Sequence, residues 1–281
     1  MAEIIKGKDV AAKIKEQISK DLKKLEGVKP TLAIVRIGEN ASDVSYERGT
    51  VKTCEEAGIE CKVFAYPEDI SMDDFVREFK SINVDKDIDG ILVFRPMPSQ
   101  IDEKAICNLI DPEKDMDCMS PVNQAKVFLG DDSGYAPCTA EAVMEMIDYS
   151  GVEIVGANAV VIGRSEVIGK PVSFMLLKKN ATVSICHSHT KDIKKLIDDA
   201  DIVLCAVGKA GFLTADMVKD SKDLSVFDVG INFENGKMCG DVAYDEVLPY
   251  CKNITPVPGG VGGVTNVVLS SHVVKAALKK H

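Results

Sequence analysis

Residues 159–171 read AVVIGRSEVIGKP, an apolar run of four that ends at a glycine, then a polar turn, a second glycine and a nearby proline. This is the pattern of a buried strand turning tightly at Gly163 into a helix that opens near Gly169. Pro171 falls inside the first turn, where a missing N–H costs nothing. Free backbone N–H groups at such a helix start can hold a pyrophosphate. The spacing is not G-x-G-x-x-G, so a dinucleotide turn and a plain strand–turn–helix connection both fit. In a dinucleotide fold, an acid near the end of the second strand binds the ribose 2′-hydroxyl and repels a 2′-phosphate. Here TVSIC (182–186) runs into His187-Ser188-His189 with no acid, while Arg164 sits in the turn itself. An arginine there can pair with a phosphate, which favours NADP over NAD. The bland alternatives are a solvated Arg164 and a Ser188 that only caps a helix.

Other reactive residue types form no pattern of their own. The nine cysteines (Cys54, Cys61, Cys107, Cys118, Cys138, Cys186, Cys205, Cys239 and Cys251) include no C-x-x-C pair, and several lie in apolar runs such as VLCAV. They read as reduced thiols in a core. His187 and His189 have strand spacing but no accompanying carboxylate or cysteine, so no metal is expected. A net charge of −10 argues against a nucleic-acid partner, which requires a basic face. The first 27 residues look like a charged amphipathic helix rather than a signal peptide, and no apolar run approaches a membrane span, so the expected location is the cytoplasm.

These residues must be carried by an α/β fold. With 281 residues, 46% of them hydrophobic, two domains of ordinary size are possible. Helical and strand patterns alternate: helix 10–25, strand 31–38, helix 46–57, strand 60–66, a helix from 72 and strand 90–95. A short helix at 103–109 then stands between loops. A second series starts after Cys138, with helix 141–149, strand 159–162, a helix to about 178, strand 181–186, helix 192–199, and strands 201–207 and 224–230. PVPGGVGG (256–263) and a last helix to about 280 close it. This is βαβ rhythm, and ligands of such sheets bind beyond the carboxyl ends of the strands.

Several segments then fall in one order: GENASDVSYERGTVKTCEEAGI (38–59), DGILVFRPMP (89–98), DPEKDMD (111–117), YAPCT (135–139), VVIGRSEVIGKPV, ATVSICHSHT, DVGIN and PVPGGVGGVT. Together they resemble the bifunctional methylenetetrahydrofolate dehydrogenase/cyclohydrolase family over nearly the whole chain. The resemblance implies two α/β domains with a cleft between them: a folate-binding catalytic domain, 1–138, and a Rossmann-like NAD(P)-binding domain, 139–281. The helix at about 264–281 would pack back on the first. It also implies a homodimer. The implied reactions are NADP-dependent oxidation of 5,10-methylenetetrahydrofolate to the methenyl cation, followed by hydrolysis to the 10-formyl form. By resemblance, Tyr46 stacks on the folate and Asp117 holds the pterin, beside Val93, Phe94 and Arg95. Pro258, Gly259, Gly260, Val261 and Gly262 form the loop that closes over the folate. Gly163, Arg164, Ser165, Ser188 and Ile231 contact the nucleotide.

The chain departs from the family at one spot. The family pattern is Y-x-x-x-K, yet four residues after Tyr46 stands Thr50, and the next lysine, Lys52, is rotated well off the tyrosine's face at about 100° per residue. Phe94 and Arg95 replace glutamine and leucine, and Gly263 and Val264 replace proline and methionine. Hydride transfer requires alignment, whereas hydrolysis requires protons to be moved, the work of a lysine of tuned pKa. The expectation is a dehydrogenase retained and a cyclohydrolase in doubt. Arg95 could restore the charge but not act as a base, and a surface arginine paired with an acid fits equally. Two alternatives stand beside this: a folate- and nucleotide-binding protein without turnover, and a two-domain dehydrogenase acting on a small acid.

Overall fold

The computed structural model describes residues 2–281 except Lys222 and Asn235. In chain order the elements are β1 (Glu3–Ile4), α1 (Gly7–Leu22), β2 (Thr31–Ile37), α2 (Ala41–Glu56), β3 (Glu60–Tyr66), α3 (Met72–Val84), β4 (Gly90–Val93), α4 (Glu103–Leu109), α5 (Pro121–Leu129), α6 (Cys138–Ser150), β5 (Asn158–Ile162), α7 (Gly169–Lys178), β6 (Thr182–Cys186), α8 (Ile193–Asp198), β7 (Ile202–Cys205), α9 (Ala215–Val218), β8 (Leu224–Asp228), β9 (Asn232–Glu234), β10 (Lys237–Cys239), α10 (Tyr244–Val247), β11 (Cys251–Ile254) and α11 (Thr265–Lys280). They group into two compact units. The first comprises residues 13–138 and 266–281, the second residues 1–12 and 139–265. Residues 1–12 were expected in the first domain. They belong to the second unit because β1 pairs in parallel with β11, a strand that sequence reading did not place.

In the first unit, β3, β2 and β4 form a parallel sheet in that order. TLAIVRI is buried almost throughout, as expected of a central parallel strand covered on both faces. Ala33, Val35, Ile91 and Val93 pack against Phe75, Phe79 and Ile82 of α3. The chain at Lys114–Met116 lies alongside β4: Ile91 N–H donates to the Lys114 carbonyl at 2.6 Å, and Met116 N–H to that of Ile91 at 3.2 Å. Those bonds aim the residue that follows, Asp117. α2 starts at Ala41, five residues earlier than expected, because the Asn40 side chain accepts the Ser42 N–H at 3.0 Å and caps it. α5 was not expected, although its signals are present: Ser120 as cap, Pro121 in the first turn, and Gly130 at φ 71° closing it.

By length and apolar content, residues 261–280 could cross a membrane, which corrects the expectation that no stretch comes close. In this fold much of α11 is core, with Val267, Val268, Leu269, Val273, Val274 and Ala277 buried.

The second unit carries a six-stranded parallel sheet ordered β1-β11-β8-β7-β5-β6. From β5 the chain moves one way to β6 and then the other way to β7, so the order reverses between β5 and β7. The crevice outside the carboxyl ends of two such strands is where doubly wound sheets bind ligands.

Candidate active site

In the second unit, the apolar run AVVI forms most of β5 and Gly163 follows at φ 128°, open to glycine and strained for other residues. A Cβ there would collide with the Ala206 carbonyl, so the turn after β5 lies directly against the loop after β7. Gly169, the first residue of α7, has the same role one turn later, its Cα facing the Gly163 carbonyl and the Arg164 nitrogen. The Ser165 hydroxyl accepts the N–H groups of Ile168 at 3.1 Å and Gly169 at 3.4 Å, ordering the helix start. Arg164 is exposed at the mouth of this turn. Ser188 caps no helix: it lies in a turn closed by Thr190 N–H to the His187 carbonyl at 2.8 Å, and the cap of α8 is Asp192. Gly163→Ala should lower stability by about 1–3 kcal/mol, read by thermal melting.

Sequence reading missed what holds the loop after β7. The Asp241 carboxylate accepts three successive backbone N–H groups, from Val207 at 2.6 Å, Gly208 at 3.0 Å and Lys209 at 2.8 Å, and the Asn232 amide at 2.9 Å. Asp241 and Val242 in turn donate their N–H groups to Asp228 at 3.0 Å each. Burial pushes the Asp228 carboxyl up to about 7, against those backbone bonds. Ile231, largely exposed, sits with the glycine segment: it, Asp228, Met238 and residues 256–263 line a cavity of about 230 Å³. Pro258, Gly259, Gly260, Val261 and Gly262 therefore meet Ile231 within one unit.

The first unit gathers Tyr46, Thr50, Phe94, Arg95 and Asp117. α2 is anchored to the end of β2 by a nearly buried ion pair, Arg36 to Glu47 at 2.8 Å, which fixes the turn carrying Tyr46. The Tyr46 ring leans on Phe94, with centroids 5.5 Å apart. Burial, then the nearby Cys138 and Asp117, push the pKa of its hydroxyl well up, opposed by Thr50 one turn on. Thr50 is fully buried and donates to the Asn266 side-chain oxygen at 3.3 Å. Asp117 accepts the Cys138 N–H at 2.8 Å. Burial raises its carboxyl above the usual range, opposed by that bond and by the Arg95 guanidinium. Arg95 itself pairs with Glu103 at 3.8 Å. Val93 is buried at the end of β4 and contributes packing. Lys52 stands apart: its side chain is 78% exposed and 4.0 Å from Glu56 on the solvent face of α2, so it cannot serve at Tyr46. The cluster thus offers an aromatic pair, a carboxylate and a guanidinium, and among the described residues it has no amine to take a proton. All nine cysteines are reduced thiols, six of them buried.

The model of the tetrahydrofolate dehydrogenase/cyclohydrolase catalytic domain matches residues 5–117, and that of the NAD(P)-binding domain of the same enzymes matches residues 137–281. The chain belongs to the tetrahydrofolate dehydrogenase/cyclohydrolase family. It is similar to the bifunctional protein FolD of Alkaliphilus metalliredigens, 46% identical over all of this chain and 99% of that protein. Among solved structures it is similar to the bifunctional FolD of Campylobacter jejuni, at TM-score 0.95 and 36% identity with both chains fully covered. It is also similar to the Trypanosoma brucei dehydrogenase-cyclohydrolase complexed with NADP and an inhibitor, at TM-score 0.91 and 32% identity over 99% and 98% of the two chains.

Thr50, where the resemblance implies a lysine, is fully buried. Its hydroxyl is already bonded, and the acceptor comes from α11. Asn266 and Cys138 are the members of this site that sequence reading did not single out. Cys138 lies in YAPCT (135–139), but no local signal points to Asn266.

Proposed function

We propose that this family member oxidises 5,10-methylenetetrahydrofolate to the 5,10-methenyl form with NADP, and that its hydrolysis of the methenyl product is weakened. The observation that carries this is the site around Tyr46. The ring pair and the Asp117 carboxylate are in place for a pterin, whereas the position one turn along α2 is a buried, neutral threonine. Oxidation removes a hydride from the methylene carbon and leaves a cation shared by the two flanking folate nitrogens, so no protein base is required. Hydrolysis adds water to that cation and sheds a proton, which Thr50 cannot take. Arg95 stays protonated and serves to orient.

The residues at the strand-order reversal fit the cofactor. The tight turn at Gly163, packed against the loop after β7, the start of α7, and exposed Arg164 are the groups that would hold NADP. When bound, NADP supplies the hydride acceptor. The preference over NAD rests on Arg164 and on the absence of an acid at His187–His189. In this reading residues 13–138 with the last helix hold the folate, and residues 139–265 hold the nucleotide. The chain works as a homodimer in the cytoplasm, without nucleic-acid or membrane partners, in keeping with its net charge of −10.

The test follows NADPH and methenyl absorbance together, with NAD in parallel. NADPH formation with accumulating methenyl product supports the reading. Absence of reduced cofactor with either nucleotide would sink it, and methenyl loss well above the spontaneous rate would remove its second half.

A further inference from the structure

We propose that His272 is a positioning residue for Asp117, acting through the peptide that joins Met116 to it. This rests on the reading above that Asp117 holds the pterin. His272 lies on α11 and is 2% exposed, next to the equally buried Val273 and Val274. An imidazole costs free energy to bury unless its nitrogens are bonded. Here Nδ1 lies 2.8 Å from the Met116 carbonyl oxygen, 156 positions away in the chain. A carbonyl only accepts, so Nδ1 carries a proton and donates it.

The same oxygen takes a second donor. The Cys138 thiol donates to it at 3.1 Å, and Sγ and Nδ1 stand 3.7 Å apart, as two donors converging on one oxygen should. A carbonyl oxygen has two lone pairs, and both are then used. The peptide that carries this oxygen runs directly into Asp117, whose carboxylate accepts the Cys138 N–H at 2.8 Å. Cys138 therefore grips both the carbonyl before Asp117 and the Asp117 side chain, while His272 fixes that carbonyl from α11. Gly90 makes room for the arrangement: a Cβ there would collide with the Met116 side chain and crowd Val273, so β4, Met116 and α11 meet at this point. The His272 ring rests against Tyr135, with centroids 5.3 Å apart. A carboxylate already turned toward its ligand loses little freedom on binding, whereas a loosened one must be ordered at the expense of affinity. Loss of the His272 bond should therefore weaken folate binding more than it slows turnover.

His272→Leu removes the donor. It should raise KM for methylenetetrahydrofolate roughly 3- to 10-fold, the worth of one hydrogen bond, and leave kcat and NADP affinity near the parent values. A merely structural role would lower the folded fraction and leave KM unchanged. His272→Asn places an amide nitrogen where Nδ1 stands and should restore the parent KM. Should His272→Leu fail to fold, His272→Gln, whose amide reaches past the carbonyl, reads the same link. In an Asp117→Ala background His272→Leu should add nothing, because both act on one group. Tyr135→Phe is the control: it keeps the ring beside His272 and removes a buried hydroxyl that has no hydrogen-bond partner among the described residues. A second readout is independent of turnover: the Cys138 amide proton in the spectrum of protein with isotope-labelled cysteine. Its bond to Asp117 should weaken in His272→Leu, moving the resonance upfield, and persist in His272→Asn. An unchanged KM, an equal effect without Asp117, an equal change from Tyr135→Phe or an unmoved Cys138 resonance would overturn the inference. If the parent turns over no folate while the resonance moves as expected, the proposed function fails and the hold of His272 on Asp117 stands.

Discussion

Replacing Thr50 by lysine should give this chain a methenyl hydrolysis rate about a hundred- to ten-thousandfold above its own, the usual worth of a positioned general acid or base. Position 50 lies one helical turn from Tyr46, so both side chains leave α2 on the same face. The site is fully buried. Burial pushes a lysine pKa down, and a lysine lowered toward neutrality is one that can accept a proton from attacking water. The lysine must displace the bond to Asn266, so some loss of thermal stability is expected with the gain. The measurement is the decay of methenyl absorbance with parent and variant against the spontaneous rate, with NADPH formation recorded alongside. Oxidation should change far less than hydrolysis, since alignment rather than proton transfer governs it. A parent that already hydrolyses as fast as Thr50→Lys would show that the site has another base.

Asp117→Ala should lower kcat/KM for methylenetetrahydrofolate by about a hundred- to ten-thousandfold, the loss of two hydrogen bonds to a charged acceptor. One carboxylate oxygen is committed to the Cys138 N–H, so the variant also leaves that donor without a partner. A modest fall in melting temperature should accompany the loss of activity. NADP affinity is the control: binding measured calorimetrically should be unchanged, since the residues proposed to hold the nucleotide belong to the other unit. The pH profile gives an independent check. The Asp117 pKa is raised by burial, and the ionised form accepts hydrogen bonds. Activity should therefore fall on the acid side at a higher pH than an ordinary carboxylate would produce. An acid limb at the usual carboxylate value would argue that Asp117 is not the group being read.

Much of the architecture is legible in local pattern. TLAIVRI, GILV, NAVVI and IVLC are short apolar runs bounded by glycine or polar turns, and each became a buried parallel strand. The turn at Gly163 was legible because a strand followed by a glycine and a helix start is a statement about backbone, and backbone sterics act within a few residues. The lysine missing at position 50 was legible for the same reason, since one helical turn is a local distance. α5 is equally local, marked by Ser120, Pro121 and Gly130.

The rest depended on contacts between residues far apart in the chain. CKNI became a strand through pairing with residues 3–4 on one side and β8 on the other, which moved the N-terminal residues out of the domain their position suggested. Asp241 in GDVAYD looks like any polar loop residue until the fold brings it to the three N–H groups after β7. Asn266, in an apolar stretch of α11, could equally have been read as a solvent-facing asparagine. The amino-acid sequence alone determined the α/β class, the glycine turn after β5 and a threonine one helical turn from Tyr46, because propensity, glycine sterics and helical spacing are short-range. Only the tertiary structure decided which neutral group serves Thr50 and which carboxylate holds the loop after β7. A hydrogen bond across 216 residues leaves no periodicity to read; it exists only where the packed helices bring its two ends together.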